Sequence, residues 1–135
     1  MTSSLNVLLV DDDPDDFEMF ADALQTIDEL DIELMYARDG LAAVEGFKSN
    51  AYPKCDVVFL DLNMPRMNGK ETLRALKEMQ SAKDIPVFIY STSSSAGDKM
   101  DMKILGAAGY VVKHSVFREL CQDLEAILEA IVSRK

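Results

Sequence analysis

The chain has 135 residues, 48% of them hydrophobic, which gives length and apolar side chain for one domain with one continuous core and leaves little room for two. A formal net charge of −10 disfavours direct binding of nucleic acid, which relies on clustered Lys and Arg; most of this acidity reads as ordinary solubility. No apolar run reaches the roughly 18 residues of a membrane span, and Met1-Thr2-Ser3-Ser4 lacks the basic start and cleavage-like small-residue site of a secretory leader, so a soluble, cytoplasmic protein is expected. Cys55 and Cys121 lie far apart without a paired-thiol spacing and read as free, reduced, small core residues.

Short apolar runs alternate with segments of helical periodicity, the pattern of parallel strands joined by crossover helices. The first run, Val7-Leu8-Leu9-Val10, stops at an acidic cluster in which Asp13 can cap a helix, Pro14 fits its first turn, and Asp15 and Asp16 favour its dipole. Phe17, Phe20, Leu24 and Ile27 mark that helix's inner face. Residues 32–37 predict a second strand, and Asp39 can cap a helix carrying Ala42, Ala43 and Phe47, before Tyr52-Pro53 interrupts. Val57-Val58-Phe59-Leu60 is apolar at every position, which suits the centre of a sheet covered on both faces, and Asp61 follows at its carboxyl end.

Beyond Asn68-Gly69, a third helix turns Leu73 and Leu76 inward, and Pro86 introduces the strand Val87-Phe88-Ile89-Tyr90. The polar run from Ser91 to Ser95 leads to a fourth helix ending near Gly106, then the short strand Tyr110-Val111-Val112. A last helix carries Phe117, Leu120, Leu124, Ile127, Leu128 and Ile131 at helical spacing. The expectation is a single domain over residues 1–135 with no linker or output domain.

In open parallel sheets the ligand site lies outside the carboxyl ends of the strands, near the point where strand order reverses. The predicted strand ends carry Asp11 and Asp12, then Asp61, then Ser91 and Thr92, then Lys113. Three carboxylates in one crevice repel, and a hard divalent cation relieves that repulsion; Mg²⁺ suits the set because it binds through one or two carboxylates and leaves another free to react. An Asp nucleophile forms an acyl phosphate when metal and Lys113 neutralise the transferring group, with Ser91 and nearby backbone amides as donors. Taken singly, the acidic pair also reads as a helix cap, Ser91 as a polar loop residue and Tyr110 as a half-buried aromatic at the sheet edge.

Taken together, Asp11-Asp12, then Asp61-Leu62-Asn63-Met64-Pro65-Arg66-Met67-Asn68-Gly69, then Gly106-Ala107-Ala108-Gly109-Tyr110-Val111-Val112-Lys113 resemble the receiver-domain signature of two-component response regulators, in family order and spacing, over almost the whole chain. The resemblance is to stand-alone, chemotaxis-type receivers. It implies a doubly wound, flavodoxin-like α/β fold with a five-stranded parallel sheet in order 2-1-3-4-5 and five helices. Asp61 would be the phosphoacceptor, and the donor a phosphohistidine on a sensor histidine kinase or histidine phosphotransfer protein. Mg²⁺, or Mn²⁺ in its place, would be held by Asp12 and Asp61, by the Asn63 backbone carbonyl, and by Asp11 mainly through water. Lys113 would sense phosphate, Ser91 and Thr92 would occupy the switch-hydroxyl region, and Tyr110 would be the aromatic switch. The fourth helix, fifth strand and fifth helix would form the surface for a downstream protein, and the chain would act on nothing but its own phosphorylation and dephosphorylation.

One residue departs from the family pattern: His114 stands where proline usually follows the active-site lysine. A cis bond to a non-proline residue costs about 2.5–4 kcal/mol, so a trans Lys113-His114 bond is expected, and His114 reads as a loop residue rather than a phosphodonor. Two other functions compete. A haloacid-dehalogenase-like, Mg²⁺-dependent phosphatase would place its nucleophile after the first strand, where Asp11-Asp12-Asp13-Pro14 lacks that family's pattern; a pseudo-receiver that binds without phosphorylation would not need the full acidic set. A flavin module is disfavoured because the loop after the first strand is acidic where a phosphate would need amides and hydroxyls.

Overall fold

The computed structural model describes residues 3–113 and 116–135. The chain alternates strand and helix throughout: β1 (Ser3–Val10), α1 (Pro14–Gln25), β2 (Leu30–Ala37), α2 (Gly40–Lys48), β3 (Val57–Leu60), α3 (Gly69–Glu78), β4 (Val87–Ser91), α4 (Ala96–Ile104), β5 (Gly109–Val112) and α5 (Phe117–Ser133). All neighbouring strands are parallel and lie in the order β2-β1-β3-β4-β5, as the resemblance implies.

Side-chain alternation on the central strands builds two core layers. Leu5, Val7 and Leu9 of β1 with Val57 and Phe59 of β3 pack against Phe20, Ala23 and Leu24 of α1 and Leu120, Leu124 and Leu128 of α5. Leu8, Val10, Val58 and Leu60 point the other way, toward Val44 and Phe47 of α2, Leu73 and Leu76 of α3 and Met102 of α4. Every residue of β3 is buried, which is why its run is apolar without interruption. Cys55 packs against one layer and Cys121 against the other, both free, and burial pushes the Cys55 thiol up to about 12.

The helix starts follow the capping chemistry expected of them. The Asp13 side chain accepts from the Asp15 amide, with Pro14 at the first helical position, and the Asp39 side chain accepts from the Ala42 amide. Asn68 and Glu71 form a reciprocal capping box at α3. Gly69 is needed for a different reason: a Cβ there would lie 2.6 Å from both the Asp61 carbonyl oxygen and the Leu62 Cα, so only glycine lets α3 begin against the end of β3.

Three boundaries or faces differ from the sequence expectation. β1 starts at Ser3 and β2 at Leu30, earlier than their apolar runs, because the two strands pair in continuous register from Ser3 with Leu30 to Val10 with Ala37. Backbone pairing carries the polar Ser4, Asn6 and Asp31 along with it. Phe117 is exposed, since at the first position of α5 it lies short of the buried stripe Leu120, Leu124, Leu128 and Ile131. The expected trans bond at Lys113-His114 lies outside the described residues.

Phe20 sits between the rings of Phe59 (5.1 Å) and Tyr90 (5.5 Å), tying α1 to the two strands beside the site. Phe20→Ala is expected to destabilise the chain by about 3–5 kcal/mol. Urea denaturation followed by far-UV circular dichroism measures it, and a loss below about 1 kcal/mol would mean that the ring cluster is not a main tie.

Candidate functional site

Strand order reverses between β1 and β3, since the chain leaves β1 for β2 on one side and returns to β3 on the other. The crevice above their carboxyl ends is therefore the switch point of the sheet. Backbone ladders fix the acidic residues there: the Asp11 amide donates to the Ala37 carbonyl (3.1 Å), and the Asp61 amide donates to the Val10 carbonyl (2.9 Å). Asp11 is fully buried, Asp61 is nearly so, and Asp12 is exposed at the mouth. One carboxylate oxygen from each of the three lies within 4.8 Å of the others.

Lys113 leaves the end of β5 and enters this crevice from the far side. Its Nζ donates to Asp11 Oδ2 (2.8 Å) and Asp16 Oδ2 (2.7 Å), and lies 3.6 Å from Asp61 Oδ1. The same ammonium sits 5.0 Å from the centre of the Tyr90 ring. Its amide donates to the Ser91 carbonyl (2.7 Å), so the lysine and the end of β4 are tied through the backbone.

The electrostatics follow from burial. Burial pushes the Asp11 carboxyl up to about 6, against hydrogen bonds from Lys113 and the Asp13 amide that favour its charge. The Asp61 carboxyl is likewise raised, first by burial and further by the charge of Asp12, with Lys113 and the Asn63 amide opposing. Burial works against the Lys113 ammonium, but the hydrogen bonds it donates to Asp11 and Asp16 outweigh that and hold its pKa above the ordinary value. One cation among this many carboxylates leaves negative charge over, and the oxygen-only donor set at hard-ligand spacing fits a divalent cation such as Mg²⁺ or Mn²⁺.

Ser91 is fully buried at the end of β4, and its Oγ accepts from the Ser93 amide (3.2 Å). Thr92, the next residue, is exposed. The Asn63 amide approaches Asp61 Oδ1 at 3.5 Å. Tyr110 stands apart from the carboxylates, half-buried on β5, where its hydroxyl donates to the Ser93 carbonyl (2.9 Å) and Lys99 lies 5.9 Å from its ring centre.

Sequence reasoning missed three contributors. Asp16 was assigned only to the helix dipole, yet it is the third residue of α1, where side chains lean back toward the N-terminus and so toward the strand ends. Tyr36 donates its hydroxyl to the Asp11 carbonyl (2.7 Å) and packs its ring on Phe17. Arg66, at a positive φ of 67° in the loop after β3, forms an ion pair with Asp39 and so fastens that loop to the start of α2. The Asn68-Gly69 pair next to it was the available signal for a constrained loop.

A doubly wound sheet with a charged, cation-compatible crevice at its switch point defines a class of α/β proteins that carry their chemistry on strand ends. Within that class the comparisons are specific. The family described as "Response regulator receiver domain" matches residues 7–125. The response regulator Rcp1 of Synechocystis is 32% identical over 126 residues, covering 90% of this chain and 84% of Rcp1, and its Mn²⁺-bound structure superposes with a TM-score of 0.78 over 91% of each chain. The phosphorylated cyanobacterial phytochrome response regulator RcpA matches at 26% identity with a TM-score of 0.83 over 98% of this chain and 97% of RcpA. The transcriptional regulatory protein PrrA of Mycobacterium tuberculosis is 33% identical over 93% of this chain, which spans only 51% of PrrA. The chain belongs to the response regulator receiver family of two-component signalling. Receiver domains bind Mg²⁺ or Mn²⁺ in an acidic site and interact with histidine kinases or phosphotransfer proteins. Among the described residues no helix is long and apolar enough to cross a membrane.

Asp39 yields a pH test of the loop anchor. Burial would raise its carboxyl, but the Ala42 amide and Arg66 outweigh that and hold it below the ordinary value. A lowered folded-state pKa contributes stability that is present above the unfolded value, about 3.9, and is lost as pH falls through the folded value. Asp39→Asn, which keeps the cap acceptor, is therefore expected to be less stable than the parent at neutral pH, with the gap closing below about pH 4. Thermal melts of both chains across pH measure it, and a gap constant down to pH 3 would contradict it.

Proposed function

We propose that this chain takes a phosphoryl group from a phosphohistidine onto Asp61 and so switches a partner-binding surface. The observation that carries this reading is the Asp61 carboxylate at the end of β3, within ligand reach of Asp11 and Asp12 and 3.6 Å from the Lys113 ammonium. In the reaction an Asp61 oxygen bonds to phosphorus as the bond from phosphorus to the donor's imidazole nitrogen breaks, the electron pair leaving with that nitrogen. A bound Mg²⁺ or Mn²⁺ supplies charge neutralisation on the phosphoryl oxygens.

Asp12, Asp61 and the Asn63 backbone carbonyl would hold that cation, with Asp11 acting mainly through water. Lys113 offers its ammonium to a phosphoryl oxygen and orients the group, while the Ser91 hydroxyl and amides of the loops after β3 and β4 serve as further donors. The chain's chemistry is then confined to its own phosphorylation and dephosphorylation. The Mn²⁺ bound to Rcp1 and the phosphorylated state of RcpA support carrying these roles to matching positions here.

The output path runs through three short links. The Ser91 hydroxyl accepts from the Ser93 amide, the Ser93 carbonyl accepts from the Tyr110 hydroxyl, and Tyr110 faces α4 beside Lys99. A phosphoryl group that draws the Ser91 hydroxyl inward pulls on the loop of Thr92 and Ser93 and on the Tyr110 ring. The face formed by α4, β5 and α5 then changes shape for a downstream protein, with a coupling of about 1–3 kcal/mol.

Two measurements check the reading. Asp61→Asn should abolish acid-labile phosphorylation by a small phosphodonor, seen by intact-mass spectrometry, while circular dichroism stays parental; label retained on another residue would refute the assignment. Mg²⁺ should raise the melting temperature, and more at pH 7.5 than at pH 5.5, because below about 6 the Asp11 carboxyl takes up a proton and ceases to repel its neighbours. An equal rise at both pH values would remove Asp11 from the cation's surroundings.

A further inference from the structure

Lys113 has three N–H donors and spends two of them on carboxylates other than the phosphoacceptor. Its Nζ is 2.8 Å from Asp11 and 2.7 Å from Asp16, whereas its 3.6 Å contact with Asp61 is an ion pair longer than a hydrogen bond. Asp11 is part of the acidic crevice, fixed at the strand end with its carbonyl held by Tyr36. Asp16 is not: it belongs to the first turn of α1, its side chain is 28% exposed, and among the described residues it is hydrogen-bonded to the crevice through the lysine.

Asp13 already caps α1 and Asp15 already places a charge at its start, so the helix itself does not require Asp16 to turn inward. The contact it makes is an ion pair with an ammonium that is only 11% exposed, a setting in which screening is weaker than at the open surface.

We propose that Asp16 is a positioning residue that holds Lys113 back from Asp61 in the unphosphorylated chain. Phosphorylation then requires the ammonium to exchange Asp16 for an oxygen of the incoming phosphoryl group. This rests on the reading of Asp61 as phosphoacceptor. Asp16 acts in one direction by two routes. It holds one of the lysine's donors that the transferring group needs, and it adds a carboxylate of its own near a dianionic phosphoryl group. It also makes α1 a participant: when Lys113 moves to the phosphoryl group, the first turn of α1 loses its tie to β5.

The test compares parent, Asp16→Asn and Asp16→Glu chains. Phosphoramidate with Mg²⁺ is the donor, and the initial rate of acid-labile label is read by intact-mass spectrometry. In that reaction an Asp61 oxygen bonds to phosphorus as the phosphorus–nitrogen bond breaks, and nitrogen leaves as ammonia. Asp16→Asn is expected to label about threefold faster or more, the rate equivalent of a partly exposed ion pair. Asp16→Glu keeps the charge and should return toward the parental rate. A second readout needs no phosphorylation: the side-chain ammonium resonance of Lys113 in metal-free protein should shift in Asp16→Asn and stay near parental in Asp16→Glu.

A role confined to the helix dipole would change the melting temperature while leaving the labelling rate and the Lys113 resonance where they were, and that outcome overturns the proposal. So does slower labelling of Asp16→Asn, which would make Asp16 an aid to transfer. A parent chain that takes no label overturns the phosphoacceptor reading and this one with it. A labelled parent with an equally labelled Asp16→Asn overturns this one alone.

Discussion

Crowding of like charge at the strand ends is the constraint to which the rest of the molecule answers. Asp11, Asp12 and Asp61 are brought within 4.8 Å of one another by the backbone itself, since the ladder bonds of Asp11 to Ala37 and of Asp61 to Val10 place them. Such an arrangement holds only if the surrounding scaffold is stronger than the repulsion. The two core layers supply that strength, and Lys113 cancels part of the charge at the cost of being nearly buried itself. The leftover negative charge, carried on oxygen ligands alone, suits the crevice to a hard divalent cation.

The scaffold beside the crevice is correspondingly tight. Gly69 starts α3 where no Cβ fits against the end of β3, Arg66 ties the intervening loop to Asp39, and a Cβ on Gly40 would collide with the side chain of the buried Thr72. These contacts leave the loop carrying Asn63 little freedom, so a ligand drawn from its backbone would need no folding step on binding. Pre-organisation of this kind is what phosphoryl transfer asks of a protein, since positioning and electrostatics do most of the work.

Much of this was legible in the residues. Val57-Val58-Phe59-Leu60 announces a strand buried on both faces, and the nine residues from Asp61 to Gly69 carry enough family-specific chemistry to mark the loop after it, though not the cap or the close helix start within that loop. What stayed hidden depends on distance in space rather than on residue type. Tyr36 looks like any strand aromatic until its hydroxyl is seen on a carbonyl 25 positions away, and Asp16 looks like a helix-dipole acid until the rotation of α1 turns it to Lys113. Strand ends were underestimated for a related reason: pairing with a neighbour extends β1 and β2 through polar residues that hydrophobicity alone would exclude.

The sheet is also lopsided. On one flank β2 is laced to β1 over eight consecutive pairs, whereas on the other β5 is a strand of four residues paired to β4 over four. Local opening costs least where few ladder bonds must be given up. Amide protons of β5 are therefore expected to exchange with solvent before those of β1 and β2, which places the flank that holds Tyr110 and leads into Lys113 among the first parts of the sheet to open.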